Sequence, residues 1–177
     1  MIYFVRHGLS EANVKKVFAG QKDDSPLVEE GRQQAKETGQ KIIKEGIKID
    51  KIVSPPSIRA LETAQIVASV LGFNNEDIVI DNRINEYDMG SLSGTPWHTI
   101  SSLMLINAEN SENIISFKDR IMECILELNK FEENILLVSH GGVGRMLETL
   151  KENKDPSLFY DTSIWDNASI TKIDWIK

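Results

Sequence analysis

Two short apolar runs in this chain each lead directly into a histidine that is followed by glycine. Residues 2–5 precede Arg6-His7-Gly8, and residues 135–138 precede Ser139-His140-Gly141-Gly142. Uninterrupted apolar runs of this length are typical of buried parallel strands. Because ligands of open α/β sheets bind at the carboxyl ends of the strands, both histidines are predicted to lie at a binding site.

The rest of the chain alternates between helical and strand-like patterns. Apolar residues at helical spacing predict a short helix after Ser10 and longer helices over residues 29–44, 58–71, 116–129 and 143–150. Short apolar segments predict further strands over residues 51–54, 78–80 and 168–176, and the glycines and proline of residues 85–97 predict an irregular loop. This order predicts one α/β domain over residues 1–177, a three-layer sandwich with a mostly parallel sheet and helices on both faces.

The composition agrees with a single globular domain and excludes several classes of partner. The chain has 177 residues, of which 41% are hydrophobic and 27% charged, and its formal net charge is −7. An acidic chain is a poor binder of nucleic acid. No apolar run reaches the roughly 20 residues of a membrane span, and the start of the chain lacks the pattern of a signal peptide, so we expect a cytoplasmic protein. A monomer and a homodimer both remain open.

The sequence offers little support for a metal or a disulfide. The single cysteine, Cys124, lies in a helical apolar stripe and is predicted to be a buried core thiol. His98 is the only other histidine, and no ligand set with the spacing of a zinc site surrounds it. We therefore predict neither a metal nor another cofactor.

The residues at the predicted strand ends suit phosphoryl transfer. A neutral imidazole is a nucleophile, and nearby arginines both lower its pKa and attract a phosphoryl group, which makes His7 the candidate nucleophile. Arg6 adjoins it, and Arg59 follows another strand end, where its planar guanidinium can bind phosphate oxygens. His140 is predicted to stabilise charge on the phosphoryl group, either as a cation or as a hydrogen-bond donor, and the backbone N–H of Gly141 can point at the same anion.

The leaving alcohol requires a proton donor, and the loop over residues 85–97 supplies carboxylates. We take Glu86 as the acid, although composition alone makes Asp88 equally available. Tyr87, Trp97 and His98 are further candidates for lining the substrate cleft, but aromatic residues near a loop more often pack it onto the domain.

Four motifs in this order resemble the histidine phosphatase superfamily, in its phosphoglycerate-mutase-like branch. The motifs are Arg6-His7-Gly8 with Asn13, Ser54-Pro55-x-x-Arg59-Ala60-x-x-Thr63-Ala64, Glu86-x-x-x-Gly90-x-x-x-Gly94, and Ser139-His140-Gly141-Gly142-Val143. The resemblance implies a phosphohistidine on His7 and a phosphate pocket formed by Arg6, Arg59 and His140, with Asn13 as an additional contact. It further implies Glu86 as proton donor and then base, no metal, and a sheet with one antiparallel edge strand, for which the final strand is the candidate.

Two residues depart from the usual pattern of this family. Leu9 stands where Glu is common, and Gln21 replaces a common Trp after Phe18-x-Gly20. We expect neither to touch the catalytic residues. Asn13 also has a structural alternative, because asparagine often caps or ends a short helix such as the one after Ser10.

The segment around residues 95–115 is a short cap insertion, whereas the family's mutases carry a longer insertion there. A short cap leaves the pocket open to water, which favours hydrolysis of a phosphoenzyme over its use in a mutase cycle. The sequence therefore predicts a metal-independent phosphatase acting on small phosphorylated metabolites. A phosphoglycerate-type mutase and a catalytically silent phospho-ligand sensor are the alternatives, and the candidate substrates include sugar phosphates, nucleotides, cofactor precursors and a phosphohistidine protein.

Overall fold

Five strands form one mixed sheet in the computed structural model, which describes residues 1–176; Lys177, the last residue of the predicted domain, lies outside the described residues. The strands, in the spatial order β3-β2-β4-β1-β5, are β1 (Ile2–Arg6), β2 (Lys51–Ser54), β3 (Val79–Ile80), β4 (Ile135–Ser139) and β5 (Ile170–Ile173). Only the pair formed by β1 and β5 is antiparallel among the described strands. This confirms a mostly parallel sheet whose last strand forms an antiparallel edge.

The described residues form six α-helices: α1 (Glu11–Lys15), α2 (Glu29–Lys44), α3 (Ile58–Leu71), α4 (Ser102–Ile106), α5 (Ile114–Leu128) and α6 (Gly141–Lys151). Helices α2 and α3 cover one face of the sheet, and α5 and α6 cover the other. The predicted sandwich with helices on both faces is therefore confirmed. No helix of the described residues is both long enough and apolar enough to cross a membrane.

The burial of the central strand β4 on both faces explains why residues 135–138 are all apolar. All five of its residues are buried. Leu136 and Val138 pack toward α2 and α3, while Ile135 and Leu137 pack toward α5 and α6. Because side chains alternate between the faces of a sheet, a strand covered on both faces carries apolar residues at consecutive positions, as residues 135–138 do. The last residue of the strand, Ser139, is buried with its hydroxyl donating to the carbonyl oxygen of Ile84.

Several boundaries differ from the predicted ones for local reasons. Helix α6 begins at Gly141 rather than Val143, because both glycines adopt helical conformation directly after the N-cap residue His140. Strand β5 is shorter than the predicted range, and Ala168 just before it has a φ of 56°, in the left-handed region, which is incompatible with a strand. Helix α5 begins at Ile114 because the Asn113 side chain accepts the N–H groups of the first turn.

The thiol of Cys124 lies in the core, as predicted. The residue is fully buried on α5. Burial, with a smaller contribution from nearby Asp81, raises the pKa of this thiol to about 12. The protonated thiol is unreactive, so Cys124 behaves as a small apolar side chain.

Candidate active site

A cavity of about 350 Å³ opens at the carboxyl ends of β1 and β4. Side chains from distant parts of the chain meet in its wall, among them Arg6, His7, Asn13, Arg59, Glu86 and Arg145. His140 is not one of the lining residues but packs against His7, with their ring centroids 5.3 Å apart. The residues to which the sequence assigned a catalytic or phosphate-binding role are therefore all at or beside one cavity.

His7 is held in one tautomer by its own backbone. Its Nδ1 lies 2.8 Å from the carbonyl oxygen of Gly8, which can only accept, so the ring proton is on Nδ1. Nε2 is then the unprotonated nitrogen, and it has no hydrogen-bond partner in residues 1–176. Burial first, and then the positive charges of Arg59 and Arg6, lower the pKa of His7 well below its usual 6.5. The imidazole is neutral at physiological pH, as a nucleophile must be.

The two flanking arginines are anchored through their terminal nitrogens. Arg6 donates from Nη1 to the carbonyl oxygen of Trp165 at 2.9 Å. Arg59 donates to the carbonyl oxygens of Asp23 and Gly20, at 2.7 and 2.9 Å. In both residues Nε is buried without a partner. Because Arg6 and Arg59 are fixed by neutral carbonyls, each brings its full positive charge to the cavity.

Burial also affects the basicity of these arginines. Desolvation lowers the pKa of Arg6 to about 10, which still leaves it protonated at neutral pH. The pKa of Arg59 is lowered for the same reason, and the negative charge of Glu86 counteracts the shift in both residues. The site thus contains buried cations whose natural counterion is a ligand.

His140 stands at the N-cap of α6, directly after β4. Its Nε2 lies 3.0 Å from the hydroxyl oxygen of Ser57, and its Nδ1 is buried without a partner. Burial and the charge of Arg59 lower the pKa of His140 well below its usual value. The ring is therefore neutral, and Nδ1 carries its proton when the Ser57 hydroxyl donates to Nε2. Of the two roles predicted for this residue, cation and hydrogen-bond donor, the geometry favours the donor.

The carboxylate of Glu86 is aimed by two backbone N–H groups. Tyr87 donates to Oε1 at 2.9 Å, and Gly142 donates to Oε2 at 3.2 Å. Each oxygen can accept a further hydrogen bond, and the residue lines the cavity. Asp88, which composition could not separate from Glu86, does not line the cavity; it accepts the N–H of Gly90 and pairs with Lys22. Of the two acids, only Glu86 therefore lines the cavity.

Two residues that the sequence did not nominate hold the backbone of this loop. Arg120 on α5 donates to the carbonyl oxygens of Arg83, Asn85 and Glu86, at 2.6 to 2.9 Å, and is itself fixed by a two-point ion pair with Glu112. Gln21 donates from Nε2 to the carbonyl oxygen of Glu86 at 2.8 Å. The expectation that Gln21 would not touch the catalytic residues was therefore wrong. Where the family commonly has Trp, this chain has Gln21, whose side-chain amide reaches the Glu86 backbone.

Asn13 combines a structural contact with a place in the cavity wall. Its Oδ1 accepts the backbone N–H and the hydroxyl of Ser10, each at 3.1 Å, which completes a capping box at the start of α1. Asn167 donates to the same oxygen at 3.3 Å and to the carbonyl oxygen of His7. Within the described part of the chain no group accepts from the Asn13 amide nitrogen. One orientation of the Asn13 side chain is thus compatible with both predicted roles, that of a helix cap and that of a phosphate contact.

Much of the cavity wall is apolar. Among its lining residues are Leu9, Phe18, Met89, Phe159, Tyr160 and Trp97. Of the three proposed cleft residues, Trp97 does line it, whereas His98 does not. Tyr87 is fully buried, packs on Phe117 and Phe159, and donates its hydroxyl to the carbonyl oxygen of Glu112. Within residues 1–176, no three His, Cys, Asp or Glu side chains are grouped so that they could hold a metal ion.

The model of the histidine phosphatase superfamily, branch 1, matches residues 2–177. The chain belongs to this superfamily. It is 31% identical to a broad-specificity phosphatase of Saccharomyces cerevisiae, over 99% of this chain and 80% of the yeast protein. It is also 39% identical to a 2,3-bisphosphoglycerate-dependent phosphoglycerate mutase of Parvibaculum lavamentivorans, but that match covers only 53% of this chain and 44% of the mutase.

Solved structures of histidine phosphatases share the fold over nearly the whole chain. Bacillus stearothermophilus YhfR superposes with a TM-score of 0.82 at 25% identity, covering 98% of this chain and 91% of YhfR. A mycobacterial glucosyl-3-phosphoglycerate phosphatase superposes with a TM-score of 0.78 at 22% identity, covering 96% and 88%. The histidine phosphatase fold is thereby established, and the chain belongs to a superfamily of enzymes acting on phosphate esters.

Proposed function

We propose that this histidine phosphatase hydrolyses small phosphomonoesters through a phosphohistidine intermediate on His7. One observation carries the proposal: Arg6 and Arg59 line the cavity at His7, their positive charges lower the pKa of its imidazole, and their terminal nitrogens are bound by neutral carbonyl oxygens rather than by carboxylates. Buried cations without a counterion are costly, and a phosphoryl group on His7 would supply the negative charge. His140, whose ring centroid lies 5.3 Å from that of His7, would add a hydrogen bond to the same group.

In the first step the lone pair of His7 Nε2 attacks phosphorus, and the bond from phosphorus to the leaving oxygen breaks. The hydrogen bond from Nδ1 to the Gly8 carbonyl strengthens as the ring becomes positively charged. Arg6 and Arg59 balance the charge that spreads over the phosphoryl oxygens, with Asn13 and the N–H of Gly141 as additional donors. Glu86, in its protonated form, gives its proton to the leaving alcohol.

In the second step water attacks the phosphorus atom of the phosphohistidine. Glu86, now a carboxylate, takes a proton from this water as the new oxygen–phosphorus bond forms and the nitrogen–phosphorus bond breaks. Neutral His7 and inorganic phosphate are released. The charges are supplied throughout by side chains of this chain, so the proposed reaction is independent of a metal.

The short cap supports hydrolysis over a mutase cycle. Between Pro96 and Asn113 the structure has one turn of 3₁₀-helix at Trp97–Thr99 and the five-residue helix α4. These cover part of the cavity rim, with Trp97 in its wall, and leave an opening through which water can reach the phosphohistidine. A mutase must instead hold a released intermediate until it reorients. The partial similarity to mutases makes a phosphoglycerate-type mutase the second candidate.

The test is phosphate release by EDTA-treated protein from p-nitrophenyl phosphate and a panel of phosphorylated metabolites. We expect EDTA-resistant turnover in the wild type, loss of at least about 10³-fold in His7→Ala, and an acid-labile, alkali-stable phosphoenzyme on rapid quenching. Isomerisation of monophosphoglycerates that is faster than their hydrolysis, in the presence of bisphosphoglycerate, would establish the mutase instead. Binding of phosphate without any turnover would identify a sensor.

A further inference from the structure

Ser57 occupies the N-cap position of α3 but does not cap this helix with its side chain. Serine is a favoured N-cap residue because its hydroxyl oxygen can accept an N–H group of the first turn. Ser10 and Ser101, at the N-caps of α1 and α4, both accept such a group. The Ser57 hydroxyl instead lies 3.0 Å from Nε2 of His140, 83 residues away in sequence. A contact with His140 thus takes the place of the helix cap.

Both partners of this hydrogen bond are buried, so their protons must be satisfied within the protein or by a ligand. Ser57 is 7% exposed and His140 is 0% exposed. Within residues 1–176, Nε2 of His140 is the only hydrogen-bond partner of the Ser57 hydroxyl, and Nδ1 of His140 has none. Burial and the charge of Arg59 lower the pKa of His140, so the ring is neutral and carries one proton on one of its two nitrogens.

The two tautomers of His140 differ in the number of polar groups that they leave unsatisfied. With the proton on Nε2, the ring would donate to Ser57, and both the hydroxyl proton and the Nδ1 lone pair would be buried without a partner in the described part of the chain. With the proton on Nδ1, the hydroxyl donates to Nε2, and only the Nδ1–H group remains. Because an unsatisfied buried polar group is costly, the contact with Ser57 favours the Nδ1–H tautomer.

The tautomer determines how His140 acts on a phosphoryl group at His7. The two rings pack with their centroids 5.3 Å apart. An N–H group on Nδ1 can donate to a phosphoryl oxygen, whereas a lone pair on Nδ1 would repel it. Nε2 is not available for this purpose, since it is bound to Ser57. A ring whose proton is already on Nδ1 needs no rearrangement when the phosphoryl group is transferred.

We propose that Ser57 is a positioning residue, which fixes the ring proton of His140 on Nδ1 and so keeps this histidine a hydrogen-bond donor to the phosphoryl group. The proposal rests on the phosphohistidine mechanism proposed above. Ser57 directly precedes α3, and Arg59 is the second residue of that helix. One short segment therefore supplies both a cation of the site and the hydroxyl that sets the tautomer of His140.

Nitrogen NMR of protein labelled with 15N-histidine measures the tautomer directly. The chain has three histidines, and the variants His98→Gln and His7→Ala assign their signals. At pH 7.5 we expect His140 of the wild type to be protonated on Nδ1 and not on Nε2. Ser57→Ala should raise the ratio of the Nε2–H form to the Nδ1–H form at least about 10-fold. Ser57→Thr, which keeps a hydroxyl, should retain the wild-type tautomer.

Kinetic measurements test the consequence for catalysis. Ser57→Ala should lower kcat about 10-fold, change KM less than about 3-fold, and weaken inhibition by orthovanadate, which resembles the five-coordinate phosphoryl group, at least about 10-fold. Ser57→Thr should keep kcat within about 3-fold of the wild type. Ser54→Ala is the matched control, because this buried serine donates to the carbonyl oxygen of Pro55 and not to His140. It should leave both kcat and the tautomer of His140 unchanged.

Other results would overturn the proposal. A wild-type His140 protonated on Nε2 would exclude it whatever the activity of the protein. An unchanged tautomer in Ser57→Ala, or equal losses of kcat in Ser57→Ala and Ser54→Ala, would show that Ser57 has only a structural role. If no ester is hydrolysed, the mechanism proposed above fails, but calorimetry should still show orthovanadate binding at least about 10-fold more weakly to Ser57→Ala than to Ser54→Ala. Equal affinities of the two variants would refute the assignment of Ser57.

Discussion

Gly142 and Glu86 fit together so closely that residue 142 can carry no side chain. The backbone N–H of Gly142 donates to Oε2 of Glu86 at 3.2 Å, and a Cβ at this position would lie 2.1 Å from Oε1. The second glycine after His140 thus brings the first turn of α6 against the proposed proton donor. The requirement is one of space, because Gly142 has an ordinary helical backbone.

Gly142→Ala should therefore displace the Glu86 carboxylate and lower kcat by about 10²-fold, since a misplaced acid loses most of its contribution. The measurement is a double-mutant cycle with Glu86→Ala. If Gly142 acts through Glu86, adding Gly142→Ala to Glu86→Ala should cost nothing further in kcat. Additive losses in the two single variants would contradict this account.

Asn13→Asp separates the two roles of Asn13. The aspartate keeps an oxygen that accepts from Ser10, and so preserves the capping box, but it replaces the amide nitrogen with a negatively charged oxygen in the cavity wall. We expect inhibition by inorganic phosphate to weaken at least about 10-fold through like-charge repulsion, with little change in melting temperature. A large loss of thermal stability with unchanged phosphate affinity would show that Asn13 is only a helix cap.

Arg120→Met should affect catalysis through the loop that carries Glu86. It removes the donor to three loop carbonyls and leaves Glu112 without its ion pair. We expect kcat to fall about 10- to 100-fold with KM less affected, because Glu86 loses its fixed orientation.

Arg83→Met is the matched control for Arg120→Met. Arg83 also forms ion pairs with several acids, but its side chain reaches Asp81, Glu123 and Glu127 rather than the Glu86 backbone. Its loss should lower thermal stability and leave kcat within about 3-fold of the wild type. If both variants lost kcat to the same extent, a general loss of stability would explain the result for Arg120.

The free energy of unfolding should fall as the pH drops below about 6.5. His7 and His140 are neutral in the folded protein because their pKa values are lowered by burial, whereas both take up protons in the unfolded chain at pH values below 6.5. The unfolded state then binds more protons, so stability decreases by up to about 1.4 kcal/mol per pH unit for each histidine.

Denaturant unfolding between pH 7.5 and 5 measures this slope. In this interval the aspartates with lowered pKa values, Asp50, Asp81 and Asp155, stay ionised in the folded protein and add little. A double variant, His7→Asn with His140→Asn, should lose most of the slope. An unchanged slope in the double variant would mean that other groups are responsible for the acid sensitivity.

The local pattern of the sequence determined much of this protein. Apolar runs in β1 and β4 identified buried strands, because a strand covered on both faces carries apolar residues at consecutive positions. His7 and His140 follow those strands directly. The carboxyl ends of neighbouring parallel strands lie at one edge, so the meeting of the two histidines followed from the fold class. The motifs around them were enough to recognise the family.

Only the tertiary structure decided which of the loop residues take part in the site. Glu86 and Asp88 are both carboxylates of one irregular loop. Glu86 is oriented by Gly142 in α6, and Asp88 pairs with Lys22; each partner is more than 50 residues distant in sequence. Arg120, Gln21 and Arg145 likewise reach the site through backbone carbonyls of other segments. Such contacts leave no periodic pattern in the sequence, because a carbonyl acceptor is available at every residue and only the tertiary packing determines which one lies within reach.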